Sequence, residues 1–380
     1  MPLSGVEALL LPRCVPHVRL INWRIIMRNQ AVILLLALLG ATTAHAADTD
    51  RELARQLALQ QKNLLPLLSN QEYQSPLPNL LQKASPRLKR QARDANQAAI
   101  SRQGLDGEVK ELMQLRLANP EQAAALQQGV EPLVAYVPSG DEKSWSAIEA
   151  FDSAGNPVYL DVDKAPARPV LVVEADPVKA KNAGLKVIRK ALAAADMQVA
   201  PRAAASTAPL KTSILKKIRL KDDQEPWLLG AAEVYAVVAG VNPSRDEPVV
   251  DIVDMPYLDY DNTDYTPNQI LVYWDRYRWG AVDIVMMEQD DNVNYKELSG
   301  LFIDALKLAF TAGGVPEALP FLDLGGRIVK ALPDSWMTNN DDYLDTFYTL
   351  EQDQSYHQYP GAAGNAVIDL EPKEIAPTRP

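Results

Sequence analysis

Beyond residue 211 the chain is written in short strand-length runs: SILKKIRLKDD, GAAEVYAVVAGV, PVVDIVD, QILVYWDRYRW, AVDIVMMEQDD, DDYLDTFYTLEQ and GNAVIDLEP. Each is rich in β-branched and aromatic residues and is bounded by Gly, Pro, Asn or Asp, the pattern of a strand between turns. Strands this close in sequence pair with their neighbours, and a sheet with one apolar face must cover it. The economical solution is two antiparallel sheets packed face to face, so an antiparallel β-sandwich is expected over 211–374. Two apolar helical runs, YKELSGLFIDALKLAF and ALPFLDLGGRIVKAL, interrupt the late strands and predict a helical insertion over 295–332.

The first half is patterned differently. RELARQLALQQKNLLPLLSN places Leu53, Leu57 and Leu64 or Leu65 at helical spacing, and Pro66 with SPLPN ends the run. LDGEVKELMQLRLANPEQAAALQQG reads as a second helix-rich run with Pro120 at a first helical position. A helical segment is therefore expected over 47–130. PLVAYVP, SAIEAFD, NPVYLDV and RPVLVVEAD then switch to period two, and VKAKNAGLKVIRKALAAAD returns to helix. These make a small α+β domain over 131–197. QVAPRAAASTAP, low in bulky apolar residues, reads as a linker over 198–210. The fold class is α+β.

MRNQAVILLLALLGATTAHA, Met27 to Ala46, has a basic start, an apolar run and a small-x-small end at Ala44-His45-Ala46. That is a secretory leader pattern, and the apolar run is about half what a bilayer span needs. Residues 1–26 read as an upstream extension, with Met27 the true start. Cleavage after Ala46 removes the only cysteine, Cys14, leaving no disulfide and no thiolate. It also removes Arg13, Arg19, Arg24, Arg28 and Glu7, moving the formal charge from -11 to -14. A secreted protein this acidic is a poor partner for nucleic acid or an anionic membrane, and no integral membrane segment remains. The expected partner is a protein, a glycan or a surface.

Carboxylates gather where the strands end. The groups are Asp222, Asp223 and Glu225; Asp259, Asp261 and Asp264; Glu288, Asp290 and Asp291 with Asn292 and Asn294; and Asp341 and Asp342 with Asp345 beyond. Strand ends of a sandwich meet at two rims, so loops distant in sequence converge. Converging like charges repel unless a cation relieves them. Asp and Asn supply the oxygen ligands that calcium takes, and the His and Cys that zinc and copper favour are missing. Bound Ca2+ is the expectation, and a solvated acidic rim is the competing reading. No loop is an EF-hand. Asp264 stands where the turn glycine belongs after Asp259 and Asp261, and Ile270 where the bidentate Glu belongs. After Asp290, Asn292 and Asn294 the same places hold Tyr295 and Leu301.

Catalytic motifs are sparse. His357 is the single histidine after cleavage, and there is no G-x-S-x-G, H-E-x-x-H, P-loop or G-x-G-x-x-G. What survives is carboxylate chemistry such as glycoside hydrolysis, with Glu288 paired to Asp259 or Asp261. The aromatic run YWDRYRW, read as a strand, puts Tyr273, Asp275, Tyr277 and Trp279 on a core-facing side.

IRLKDDQEPWLLGAAEVYAVV, DEPVVDIVDMPYLDYDNTDYTPNQILVYWDRYRWGAVDIVMMEQDDNVNYKEL and LPDSWMTNNDDYLDTFYTLEQ resemble an uncharacterised family of secreted bacterial proteins, domain of unknown function 3103. The resemblance covers most of the chain after Ala46 and implies no catalytic residues. More loosely, the C-terminal half is similar to C2-like sandwiches, in which Asp-rich loops at one rim hold calcium. The insertion over 295–332 departs from that pattern.

Overall fold

The structure is a computed structural model, and it describes residues 49–140, 142–198, 208–223, 226–244, 247–289, 293–313, 324–331 and 343–377. The expected leader, the extension before it and most of the linker lie outside the described residues.

Two helices open the fold: α1, over 49–59, and α2, Gln61–Ser69. Leu53, Leu57, Leu64 and Leu68 are buried along their inner side, as the spacing predicts. Pro66 lies inside α2 and does not end it. Its missing N–H removes one bond to the previous turn, and packing of Leu64 and Leu68 on the core carries the helix three residues further. Then come α3 (Leu77–Leu80) and α4 (Pro86–Arg102), whose Ser85 hydroxyl caps the Leu88 N–H at 3.3 Å.

The run read as a second helix is mostly not one. MQLRL forms strand β2 (Met113–Leu117), and after it only Pro120–Gln122 and α5 (Ala123–Gln127) are helical. Its residues are good helix formers, but pairing on both edges overrides that preference. β2 lies between β1 (Gln74–Pro76) and β6 (Val170–Ala175). The remaining strands are β3 (Leu133–Tyr136), β4 (Ile148–Phe151) and β5 (Pro157–Leu160). Together they make one six-stranded sheet, order β1-β2-β6-β3-β4-β5, antiparallel except where β3 runs parallel to β6. The sheet takes strands from both sides of residue 130, so the segment 47–130 and the region 131–197 share one body. Between β4 and β5, Asp152 Oδ1 accepts the N–H groups of Ala154 and Asn156 and fixes the expected hairpin turn.

The β-sandwich stands as expected. One sheet is β10-β7-β14-β13 and the other β12-β11-β8-β9. Their strands are β7 (Leu210–Leu220), β8 (Tyr235–Val241), β9 (Pro248–Asp254), β10 (Gln269–Tyr273), β11 (Ala281–Met287), β12 (Tyr343–Glu351), β13 (Tyr356–Pro360) and β14 (Ala366–Ile375). Leu215, Ile218, Leu220, Ile368 and Leu370 pack against Ala236, Val238, Ile284, Met286 and Phe347 between the sheets. The second sheet is also covered outside. Tyr235, Val237, Ala239, Val285 and Met287 enter a larger core with α6 (Pro177–Ala194) and α7 (Tyr295–Gly313). Burial on both faces explains why YAVVAGV is apolar throughout instead of alternating.

The expected insertion is present as α7 and α8 (Leu324–Ala331), and it joins the two halves. Tyr295, the first residue of α7, lies against Gly184 of α6, where any Cβ would occupy the tyrosine ring. Lys181 of α6 pairs with Asp254 at the end of β9, at 3.0 Å. One continuous core therefore runs from Leu53 in α1 to Phe302 in α7 and Val237 in β8.

The aromatic run departs from its expected strand. β10 stops at Tyr273, and Trp274–Arg276 form a 3-10 turn. Trp274, not Asp275, turns inward, its Nε1 donating to Ser213 Oγ at 3.0 Å. Tyr277 is buried beside Gly240, while Arg276 pairs with Asp251 and lies 4.1 Å from the Tyr273 ring centre.

Candidate functional site

The sandwich does bring two of the acidic loops to one rim. The Asp261 N–H donates to Asp223 Oδ2 at 3.0 Å, and Asn262 Nδ2 donates to the Lys221 carbonyl at 3.0 Å. Asn365 joins them, accepting the Asp222 N–H at 3.0 Å and donating to the Asp222 carbonyl at 2.9 Å. Glu225 lies outside the described residues, as do Asp290, Asp291, Asn292, Asp341 and Asp342.

The other described candidates have separate work. Asp264 pairs with Lys217 at 2.8 Å, which with Arg219 holds its carboxyl below the usual range. Asp259 is half-buried, and burial raises its pKa against the opposing charge of Lys181. Glu288 is buried and accepts the Glu233 N–H at 3.4 Å. Asn294 caps α7: its Oδ1 accepts the N–H groups of Lys296 and Glu297, and its Nδ2 donates to the Arg102 carbonyl. Among the described residues no three His, Cys, Asp or Glu side chains gather as a metal site.

Asp345 shows how the fold satisfies a buried carboxylate with backbone donors. It is fully buried in β12, and its two oxygens accept four backbone N–H groups, from Thr346 (2.8 Å), Ala363 (2.7 Å), Asn365 (2.8 Å) and Ala366 (2.7 Å). The turn GAAGNA wraps the carboxylate, and a Cβ on Gly361 would overlap it. The nest ties β12 of one sheet to the β13–β14 turn of the other.

A concave feature lies elsewhere, where the six-stranded sheet meets the sandwich loops. It is a cleft of about 890 Å³. Its floor is Arg116 of β2. That guanidinium makes two bonds to Glu174, both 2.7 Å, and donates to the carbonyls of Leu228 (3.0 Å) and Leu229 (2.8 Å). A planar donor fork suits this work, joining a buried carboxylate to a neighbouring loop. Gln114 Nε2 also donates to Glu174 at 2.8 Å, while its buried Oε1 has no partner among the described residues. Trp227 and Leu228 enter the small core under β3, β4 and β6, which anchors the loop. The walls include Tyr73, Trp227 and Tyr260 beside Asn119, Glu121 and Glu233. Tyr260 is 56% exposed.

The sequence reading missed this cleft. Arg116 was hidden in a run read as helix, and Tyr73 sits in a turn that carries no motif. The usable signal was PWLL after Glu225, an apolar aromatic group in a loop between two strands.

The molecule is thus an α+β protein whose helices bridge a six-stranded sheet to a β-sandwich. It belongs to the family described as Protein of unknown function (DUF3103), which matches residues 49–378. Comparison with curated proteins and with solved structures gave no match. Among the described residues no helix is long and apolar enough to cross a membrane.

Proposed function

We propose that this is a secreted binding module that takes a glycan in the cleft between sheet and sandwich. The observation that carries it is the lining: three aromatic residues beside amide and carboxylate groups in a cleft of about 890 Å³. The C–H faces of a sugar ring pack on aromatic faces, and its hydroxyls bond to amides and carboxylates, the mixture that gives a ligand site its orientation. Secretion is supported by the leader pattern ending at Ala46, just ahead of the family match at residue 49. The test is retention on a glycan array, with Tyr260→Ala as the control. The exposed ring contributes no core packing, so the variant keeps its melting midpoint and loses retention. Failure of the parent protein to retain any glycan overturns the reading.

The same assay reads the hydrolase alternative. New reducing ends would make the protein a carboxylate-dependent hydrolase, with Asp176 and Glu233 the buried acids that line the cleft. The pairing of Glu288 with Asp259 or Asp261 has no such support.

A calcium-binding reading rests on the meeting of Asp223 with the Asp261 loop. Its ligands would be Asp222, Asp223 and Asp261. A melt after chelation and calcium addition tests it. A ligand of the folded state at a hundred times its Kd stabilises by about 2.7 kcal/mol. An unchanged midpoint returns these residues to a solvated rim.

A further inference from the structure

The formal charge of -11 hides a face of opposite sign. From Lys83 to Arg93 the chain carries Lys83, Arg87, Lys89, Arg90 and Arg93 with no acid among them. On α4 the four cations from Arg87 to Arg93 share one half of the helix, opposite the buried Leu88, Ala92 and Ala95. Lys83, Arg87, Arg90, Arg93 and Lys110 make no ion pair among the described residues. Lys89 Nζ donates to the Gln82 carbonyl at 2.7 Å. The acids beside them are Asp94, exposed next to Arg93 on α4, and Glu111, which lines the pocket below.

Beside this face is a pocket of about 420 Å³. Leu77, Leu81, Ala92 and Met113, all buried, line its floor, and Lys89, Arg93 and Lys110 stand at its rim. An apolar floor under a basic rim fits a ligand with an alkyl part and an anionic head. The cations extend past the rim to Lys83, Arg87 and Arg90, which is more charge than one small anion needs. Repeated anionic heads over an apolar layer are the chemistry of a lipid surface.

We infer that the α4 face docks on an anionic lipid surface, with the pocket receiving part of an acyl chain. Free polyanions lack the apolar part, and a single free amphiphile leaves the outer cations unused. The inference is independent of the cleft.

The test is co-sedimentation of the protein with phosphatidylcholine vesicles with and without phosphatidylglycerol. The variant is Arg87→Gln/Arg90→Gln/Arg93→Gln, in which three exposed side chains change and helix propensity is kept. The parent should sediment with the phosphatidylglycerol vesicles and not with phosphatidylcholine alone. The variant should bind about a hundredfold more weakly, as expected for losing three cations near an anionic leaflet, with its melting midpoint unchanged. No sedimentation with phosphatidylglycerol, or equal sedimentation of the variant, overturns the inference. So does stabilisation by dodecyl phosphate without vesicle binding, which would mean a free amphiphile, or retention of DNA in place of vesicles, which would mean a polyanion site.

Discussion

Asp345 carries the clearest residue-scale consequence. Its carboxylate accepts four N–H groups in a site closed to water. Hydrogen bonds to a charged group are worth about 1.5–3 kcal/mol each, and donors left unpaired in a buried site add their own cost. Asp345→Asn presents an amide N–H₂ to donors and should lose about 3 kcal/mol or more of unfolding free energy in urea. An Asn variant as stable as the parent would deny the nest its role. Asp50 gives the opposite case. Burial raises its pKa to about 6 against the lowering effect of Arg102, at 3.8 Å. The folded state therefore holds this proton up to about pH 6, and the unfolded chain releases it near pH 4. The cost of the buried charge is absent below pH 4, grows between pH 4 and 6, and is fully present at pH 7, at about 3 kcal/mol. Asp50→Asn should raise the Tm at pH 7 and leave it nearly unchanged at pH 4. A gain of the same size at both values contradicts this account of Asp50.

At the scale of elements, the sandwich was legible because Val, Ile and aromatic runs such as YAVVAGV have no other stable use. β2 was not, since Leu115, Arg116 and Leu117 favour a helix and only the partners on either side make them a strand. β13 carries little strand signal, because its two tyrosines stand three residues apart in YHQYP and break the two-residue period. Asn294 looked like a ligand because a cap and a metal ligand use the same amide oxygen. The basic face of α4 was missed for a different reason: net charge averages over the molecule, and a docking face does not. The joint between halves depends on Gly184, which admits the Tyr295 ring. Gly184→Ala forces α6 and α7 apart, and overpacking of this kind costs about 1–3 kcal/mol. Its Tm should fall accordingly. An unchanged Tm would show that the two helices part freely.

The whole molecule is a sheet and a sandwich held by one core, with the cleft at the place where both contribute walls. Neither half contains the cleft alone: Tyr73, Gln114 and Arg116 come from one side, and Trp227, Glu233 and Tyr260 from the other. No local pattern could announce it, because its parts are brought together by contacts between distant segments, among them the Arg116 bonds to Leu228 and Leu229 and the Lys181 pair with Asp254. The most direct measurement is amide hydrogen exchange of the protein with and without the glycan that the array retains. The account predicts slowed exchange confined to 72–76, 114–123, 165, 176–178, 226–233 and 257–262, the segments that line the cleft. Slowed exchange elsewhere with these segments unchanged would contradict the cleft as the binding site.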